Sequence, residues 1–397
     1  MGPHNTKSWV PFRPDAENLK AVTEDVSAVR DIQQKLLDNH NDLHCPDRVA
    51  HQYQLAGGKM KFKVADQLPS ELEGVGLFEP GAEYIGIGRI STGLGSPHIE
   101  TNPDFLGIMA AFQTKDGLRV DFLAINHPTA PTDNHRDFMD VLHATGESAG
   151  AEFPLIGEAG DYDLGDLLSE QWEFSKALKD RMGWFKAGKT LAHIVKQTLR
   201  TFHSSTAYQA YWTGVVEVGE TAGKFSFVPT RDENRRPGFR PGERHLSDEW
   251  KKRQAQGDVE FNLYWIPFLN EDRTPTVELT GRWDEGHKQP VGRITFPKTD
   301  LDSEEARMWA ILASEMGANP GNWVHDKENT VREPATEFGS ARKIAYRLSQ
   351  EGRGALEPDR YRSVFETGQI SPELAQELAR RREEKDKAGH VNWAPTI

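Results

Sequence analysis

The pattern of apolar and polar positions separates strand-forming from helix-forming stretches along the chain. Eight stretches have the alternating or short β-branched pattern of strands, in two groups of four. They cover residues 59–65, 82–91, 104–114 and 118–125 in the first group, and 208–219, 223–229, 259–268 and 290–297 in the second. The sequence Lys-Asp-Gly at 115–117 lies between two of these stretches and predicts a hairpin turn.

Apolar residues at three-to-four spacing predict helices in three regions. These are 17–40, the stretch of about 134–204 between the two groups of strands, and a C-terminal part with helical patterns at 302–316, 339–350 and 371–388. In the C-terminal part, Asp302 is predicted to cap the first helix, and Ser371 with Pro372 to begin the last.

This order of elements predicts an α+β protein. Two groups of four strands around a helical insert favour one eight-stranded antiparallel β-barrel over separate sheets. We expect an N-terminal arm and helix at 1–44, a barrel at 45–300 with a helical insert at about 134–204, and a helical C-terminal segment at 301–397. The strand at 104–114 is almost uninterrupted in its apolar character, which predicts burial on both faces or against a bulky ligand. Its small residues would admit a large group; they are Gly107, Ala110 and Ala111.

Composition narrows the function classes. The 397 residues carry 48 basic and 61 acidic side chains, a net charge of −13, which counts against a nucleic-acid binder. The longest apolar run near a strand, 105–112, is far shorter than the roughly 20 residues of a membrane span. We expect no membrane span. Since no secretory signal is visible and Cys45 is the single cysteine, we also expect a cytoplasmic protein.

A metal site is one interpretation of the stretch around residue 40. The common nucleotide-binding and hydrolase signatures are absent from the sequence. His40 and His44 are four residues apart beside Asp38 and Cys45, and such a set can bind zinc or nickel. The following Pro46 instead favours a helix that ends there in solvent, which is the interpretation we prefer.

Four short segments combine arginine with residues suited to acid–base or ligand chemistry. They are Arg48-Val-Ala-His51 ahead of the first strand, Arg89-Ile-Ser91-Thr at the end of the second, Asn126-His-Pro after the fourth, and Arg342-x-x-x-Tyr346 with Arg353 on a predicted helix. Taken singly, each has an ordinary structural explanation as a loop histidine, a turn, or a surface arginine near a packed tyrosine.

Together and in this order, the segments resemble the haem catalase family across about residues 44 to 355. The family pattern has Arg-Val-x-His, Arg-Phe-Ser-Thr, Asn-Asn-Thr-Pro, and Arg-x-x-x-Tyr with another Arg further along the chain. This chain departs from it with Gln52-Tyr53-Gln54 in place of Ala-Lys-Gly, with Ile90 in place of Phe, and with Arg-Leu-Ser after Tyr346. Because the chain is also shorter than ordinary catalases, the resemblance is to the shorter, divergent catalase-related branch, which includes catalase-like peroxidases.

The resemblance implies a haem b cofactor and five residues that hold it. Tyr346 would be the axial ligand of the haem iron, and Arg342, one helical turn earlier, would stabilise the phenolate form that ligates iron. Arg48, Arg89 and Arg353 would pair with the haem propionates, because a guanidinium binds a carboxylate bidentately.

The resemblance also implies two residues that activate a peroxide. His51 would move a proton from one peroxide oxygen to the other, and Asn126 would position the peroxide through a hydrogen bond. The expected function is haem-dependent peroxide decomposition, as a catalase or a catalase-related peroxidase. Two alternatives stay open: a haem enzyme acting on organic or fatty-acid hydroperoxides, and a catalase-fold protein that binds haem without turnover. The implied partners are a peroxide, a candidate small-molecule reductant and further copies of the chain in a candidate homo-oligomer.

Overall fold

The computed structural model describes most of the chain. The described residues are 11–39, 47–93, 100, 104–147, 174–198, 205–219, 221–231, 244–322, 328 and 335–387. The histidines of the metal-site interpretation, His40 and His44, lie outside the described residues. Within the described part, no group of three or more His, Cys, Asp or Glu side chains is arranged to hold a metal ion.

The strands form one antiparallel sheet that closes on itself. In the described part they are β1 Gln54–Val64, β2 Glu83–Thr92, β3 Leu106–Gln113, β4 Arg119–Ile125, β5 Tyr211–Thr213, β6 Val216–Val218, β7 Thr221–Pro229, β8 Val259–Pro267 and β9 Gln289–Phe296. Neighbours follow the order β5-β4-β3-β2-β1-β9-β8-β7-β6, and an additional β5–β7 pairing closes the circle. The predicted eight-stranded antiparallel β-barrel is confirmed, because β5 and β6 occupy one position beside β7.

A β-bulge separates β5 from β6, where the sequence pattern predicts a single strand at 208–219. Trp212 pairs with Ser226, but Val216 pairs with Gly223, so the register shifts by one residue between them. The hydroxyl of Thr213 accepts the backbone N–H of Phe225 at 2.9 Å at this point. β5 and β6 therefore both pair with β7, with residues 214 and 215 between them.

Helices surround the barrel. They are α1 Ala16–Ser27, α2 Val29–Asn39, α3 His135–Glu147, α4 with its described part at 174–182, α5 Trp184–Thr198, α6 His245–Gln256, α7 Glu304–Glu315, α8 Glu337–Gly352, α9 Pro358–Thr367 and α10 Pro372–Lys387. The helical insert and the helical C-terminal segment are therefore present. None of the helices in these ranges has both the length and the apolar character needed to cross a bilayer. The domain boundaries at 44 and 300 stay predictions.

The helix boundaries differ from the sequence prediction at two places and agree with it at a third. The predicted helix at 17–40 is broken at Ala28 into α1 and α2, although its apolar positions still pack in one cluster with α3 and α8. The cap of α7 is Ser303 and not Asp302, because the Ser303 side chain accepts the N–H of Ala306. Pro372 begins α10 as predicted, and the Ser371 hydroxyl accepts the N–H of Leu374 at 3.2 Å.

Aromatic side chains fill the barrel. Phe122 contacts Phe225 edge-to-face with ring centroids 5.4 Å apart, and it contacts Phe112 in the same way at 6.2 Å. On β3, alternate residues face this interior, while Met109 and Ala111 face a second apolar cluster formed with α7, α9 and α10. The predicted burial of this strand on both faces is confirmed, and it places β3 between the barrel core and the C-terminal helices.

The aromatic core generates a stability prediction. Phe122→Ala should lower the free energy of unfolding by about 3–5 kcal/mol, since a fully buried ring leaves a cavity. Phe185→Ala is the matched control, because this ring is 87% exposed and its loss should change stability by no more than about 0.5 kcal/mol. Urea denaturation followed by circular dichroism measures both. Equal losses in the two variants would contradict the assignment of Phe122 to the core.

Candidate functional site

A cavity of about 270 Å³ lies between the barrel and the surrounding helices. Six of the seven predicted site residues line it: Arg48, His51, Arg89, Arg342, Tyr346 and Arg353. They come from the loop before β1, from β2 and from α8 with its C-terminal end. The fold therefore collects at one cavity side chains that are far apart in the sequence.

His51 has an unusual backbone conformation. Its φ of 58° is the one positive value among the described non-glycine residues, and such a conformation costs about 1–2 kcal/mol. Its backbone N–H donates to the carbonyl of Gly93 at 2.9 Å, which holds the turn in place. The side chain lies over β3, where a Cβ on Gly107 would come within 2.6 Å of the imidazole atoms Cε1 and Nδ1. Gly107 is thus required to be small, as predicted for this strand, and the group that approaches it is His51.

The electrostatic surroundings keep the His51 imidazole neutral. Burial lowers its pKa to about 4, and the positive charges of Arg89 and Arg342 act in the same direction, while Asp104 opposes them. Nδ1 lies 3.1 Å from the Ser91 hydroxyl, which fixes the orientation of the ring. At neutral pH the imidazole is therefore available as a proton acceptor.

Arg89 joins the His51 loop to the barrel. Its Nη2 donates to the carbonyls of His51 at 2.7 Å and Gln52 at 2.8 Å, and its Nε donates to Gln54 Oε1 at 3.0 Å. Gln52 in turn donates from Nε2 to the carbonyl of Arg48 at 2.6 Å. The two glutamines that depart from the family pattern thus hold the loop that carries His51.

Arg48 and Arg353 converge on the C-terminal end of α7. Arg48 Nη2 donates to the carbonyl of Ser314 at 2.5 Å, and Arg353 Nη2 donates to the carbonyl of Met316 at 2.9 Å. The carbonyls at a helix C-terminus carry partial negative charge and suit guanidinium donors. Burial and the nearby charge of Arg48 lower the pKa of Arg353 to about 9. Positive charge is therefore concentrated at this wall of the cavity.

This arginine cluster lacks a matching set of acids. Within the described residues, neither Arg89 nor Arg353 has a carboxylate at ion-pair distance, and the buried Nε of Arg353 has no hydrogen-bond partner. Arg48 has only a loose contact of 3.7 Å with Asp47. Since buried guanidinium groups are normally paired, the cluster fits a ligand that carries carboxylates.

Tyr346 and Arg342 lie one turn apart on α8. The Arg342 guanidinium carbon is 5.6 Å from the centroid of the Tyr346 ring, and both side chains line the cavity. Arg342 also approaches the β-bulge, where a Cβ on Gly214 would lie only 3.1 Å from its Nη1. The missing side chain of Gly214, between β5 and β6, therefore leaves room for the arginine that accompanies the tyrosine.

The residues present fit a haem group. The arginine cluster offers partners for two propionates, Tyr346 offers a phenol oxygen for iron, and His51 offers a neutral acid–base group. Apolar side chains supply much of the remaining lining, including Leu123, Ile125 and Met109.

Asn126 is the predicted site residue that the structure does not bring to the cavity. Its Oδ1 accepts the backbone N–H of Leu106 at 2.9 Å, and its Nδ2 donates to Gln209 Oε1 at 2.7 Å. Both polar atoms of the amide are thus hydrogen-bonded to residues at or next to the barrel strands β3 and β5. The neighbours Ile125 and His127 line the cavity instead.

Two cavity residues were missed by sequence reasoning. His127 packs its Nδ1 against Gln197 Nε2 at 2.8 Å and the Thr129 hydroxyl at 3.0 Å. Lys224 is 3% exposed, and burial lowers its pKa to about 7. The sequence signal for Lys224 is a lysine within a largely apolar strand. The alternating pattern alone predicts that such a side chain faces solvent.

Solved structures of catalases are similar in fold to this chain. A fungal catalase matches with a TM-score of 0.59 and 14% identity, covering 81% of this chain and 61% of its own. A bacterial catalase matches at 0.56 and 18% identity, covering 89% and 64%, and catalase A from Saccharomyces cerevisiae at 0.58 and 14%, covering 92% and 70%. The chain thus spans roughly two thirds of the length of these catalases. Searches against protein-family models and curated proteins found no match. The chain has a catalase-like fold.

The contact between Gly107 and His51 can be tested by a double-mutant cycle. Gly107→Ala should lower the free energy of unfolding by about 1–3 kcal/mol, because the new methyl overlaps the imidazole. In a His51→Ala background the same change should cost under about 0.5 kcal/mol. Gly58→Ala is the control, since nothing lies within 4 Å of its Cβ position. If Gly107→Ala costs the same with and without His51, the contact does not exist.

The low pKa of His51 predicts a dependence of stability on pH. Between about pH 6.5 and pH 4 the unfolded chain binds a proton at His51 that the folded chain does not, so stability falls as the pH falls. His51→Gln should remove up to about 3 kcal/mol of this loss. Melting temperatures from pH 7 to pH 4 measure it, with the exposed His287→Gln as control. Parallel curves for wild type and His51→Gln would contradict the assignment.

Proposed function

We propose that this catalase-like barrel binds haem b and decomposes peroxides, as a catalase or a catalase-related peroxidase. The observation that carries the proposal is the convergence of a neutral histidine, a tyrosine with its arginine, and a carboxylate-poor arginine cluster on one cavity. A peroxidase reaction also needs a small-molecule electron donor, which we propose as the second substrate.

Tyr346 and Arg342 would form the iron-binding side. The Arg342 guanidinium carbon lies 5.6 Å from the centroid of the Tyr346 ring, so its positive charge would stabilise the negative charge of an iron-bound phenolate oxygen. Arg48, Arg89 and Arg353 would pair with the propionates and relieve their own mutual repulsion. Haem, when bound, supplies the redox-active iron that accepts a peroxide oxygen.

His51 would carry the proton transfer. As a neutral imidazole it would take the proton from one peroxide oxygen and return it to the other, which would leave as water or an alcohol, with the haem iron as the acceptor of the remaining oxygen atom. Arg89 and Ser91 hold the loop and the ring in position for this step. Asn126 stays a predicted catalytic residue, but its hydrogen bonds to Leu106 and Gln209 support a role in holding the adjacent wall.

Organic hydroperoxides are the second candidate substrates. One side of the cavity is largely apolar and is supplied by α1, α3, α4 and α5. Its apolar lining includes Val26, Phe138, Met139, Leu142, Phe174 and Ile194, and its polar lining residues are His135 and Thr145 of α3. Hydrogen peroxide gains nothing from such a surface, whereas an alkyl or acyl chain would bury apolar area there. This lining favours a hydroperoxide with an apolar substituent.

Haem binding is the first test. Protein expressed with haem available should show the high-spin ferric spectrum of tyrosinate-ligated haem, and Tyr346→Phe should change or abolish it. Tyr264→Phe on β8, outside the cavity, is the matched control and should leave the spectrum unchanged. If the wild-type protein takes up no haem, the proposed function fails as a whole.

Turnover of the haem-loaded protein then separates the candidates. His51→Gln should lower kcat/KM for the preferred peroxide by about 10²–10⁴-fold while the haem spectrum persists. Consumption of hydrogen peroxide or of cumene hydroperoxide identifies the substrate class. Haem binding without consumption of either peroxide would support the alternative of a non-catalytic haem-binding protein.

A further inference from the structure

Two aromatic side chains stand in solvent at the start of α5. Trp184 is 78% exposed and Phe185 is 87% exposed, and no large apolar side chain in the described ranges exceeds them. They are adjacent in the chain and follow Gly183, whose positive φ of 78° turns the backbone between α4 and α5. Exposed apolar residues are ordinary when scattered singly, but a tryptophan beside a phenylalanine forms a patch that calls for a partner.

Lysines share the exposed face of α5 with this patch. Phe185, Lys189, Ala192 and Lys196 recur at the spacing of one helix face, and all four are exposed. The opposite face is buried through Ala187 and Ile194. Neither lysine has a carboxylate at ion-pair distance among the described residues. The outer face of α5 therefore combines aromatic rings with unpaired positive charge.

The charge of this region is opposite to that of the whole chain. Residues 174–198 contain six basic side chains and one acidic side chain, a local net charge of +5 in a chain of −13. Two of the six, Arg181 and Lys186, pair with Glu147 and Asp137 on α3. Lys179, Lys189 and Lys196 are exposed. Lys179 on α4 lies over the Trp184 ring at 5.8 Å, so a further cation stands beside the aromatic pair. A partner for this surface should be anionic and should accept aromatic rings.

We propose that the outer face of α4 and α5, with Trp184, Phe185, Lys179, Lys189 and Lys196, docks on an anionic lipid bilayer. Aromatic rings partition into the headgroup region, and lysines near an anionic surface are each attracted by about 1 kcal/mol. A second copy of the chain is a poorer partner, because a two-fold contact would bring the same lysines together.

This docking would place the bilayer next to the apolar side of the cavity. Phe174 and Ile194, on the inner face of the same two helices, line that side. An apolar ligand leaving the bilayer would meet α4 and α5 first. The docking surface itself uses no residue of the haem site, so it stands or falls independently of the proposed function.

Vesicle flotation of the full chain tests the proposal. The protein should float with vesicles of phosphatidylcholine that contain about 30% phosphatidylserine, an anionic lipid. It should remain unbound with vesicles of phosphatidylcholine alone. Binding should fall as salt is raised. Trp184→Ala/Phe185→Ala and Lys189→Glu/Lys196→Glu should each weaken binding at least about tenfold. Val277→Ala/Lys61→Glu is the control pair, since both residues are exposed on other parts of the molecule.

Three outcomes would overturn the proposal. The first is no binding to the anionic vesicles, or equal binding to both vesicle types. The second is a loss of sedimentation mass without vesicles in the aromatic variant, because the occupant would then be a second copy of the chain. The third is binding to anionic vesicles only after residues 151–173 are deleted. This stretch has seven acidic and no basic side chains, and it would then be the segment that covers the outer face of α4 and α5. Unchanged circular dichroism in the variants shows that altered binding does not come from unfolding.

Discussion

The C-terminal end of α7 holds the site together. Its last carbonyls accept donors from Arg48, which precedes β1, and from Arg353, which ends α8. The backbone N–H of Leu356 donates to the Glu315 carbonyl at 2.9 Å at the same point. The histidine side and the tyrosine side of the cavity are thus fastened to one helix end. Its partial negative charge offsets part of the repulsion among the arginines, and carboxylates of a ligand would offset the rest.

Glu315 shows how strongly this helix end is fixed. Its carboxylate is fully buried and pairs with Lys385 at 2.5 Å and with Arg381 at 3.0 Å, both on α10. Removing one partner of a buried pair leaves an uncompensated charge. Detachment of α10 would therefore leave the Glu315 carboxylate of α7 buried without its partners. α10 contributes none of its residues 372–387 to the cavity lining, yet it supports the carbonyls that receive Arg48 and Arg353. This gives the helical C-terminal segment a structural role in the site.

The sequence predicted the barrel well because alternation and turn chemistry are local signals. All eight predicted strand regions are strands, and the Lys-Asp-Gly turn joins β3 to β4. The bulge beside Gly214 is invisible in the pattern, and so is the close approach of Arg342 from a distant helix to Gly214. Asn126 shows the same limit at the site. Its identity favours peroxide binding and barrel support equally, and only the positions of Leu106 and Gln209 show which hydrogen bonds it makes.

The departures beside His51 acquire a physical meaning in the folded chain. Gln54 links Arg89 to the carbonyl of Ala310 on α7, and Gln52 fixes the carbonyl of Arg48. The Gln54 amide both donates and accepts, and the Gln52 amide donates, which the glycine and alanine of the family pattern at these positions could not do. Such a network can hold His51 in its strained left-handed conformation, because the cost of about 1–2 kcal/mol is spread over several hydrogen bonds. Substitution beside the candidate acid–base residue is therefore compatible with a precisely held imidazole, and the altered segment by itself is no argument against catalysis.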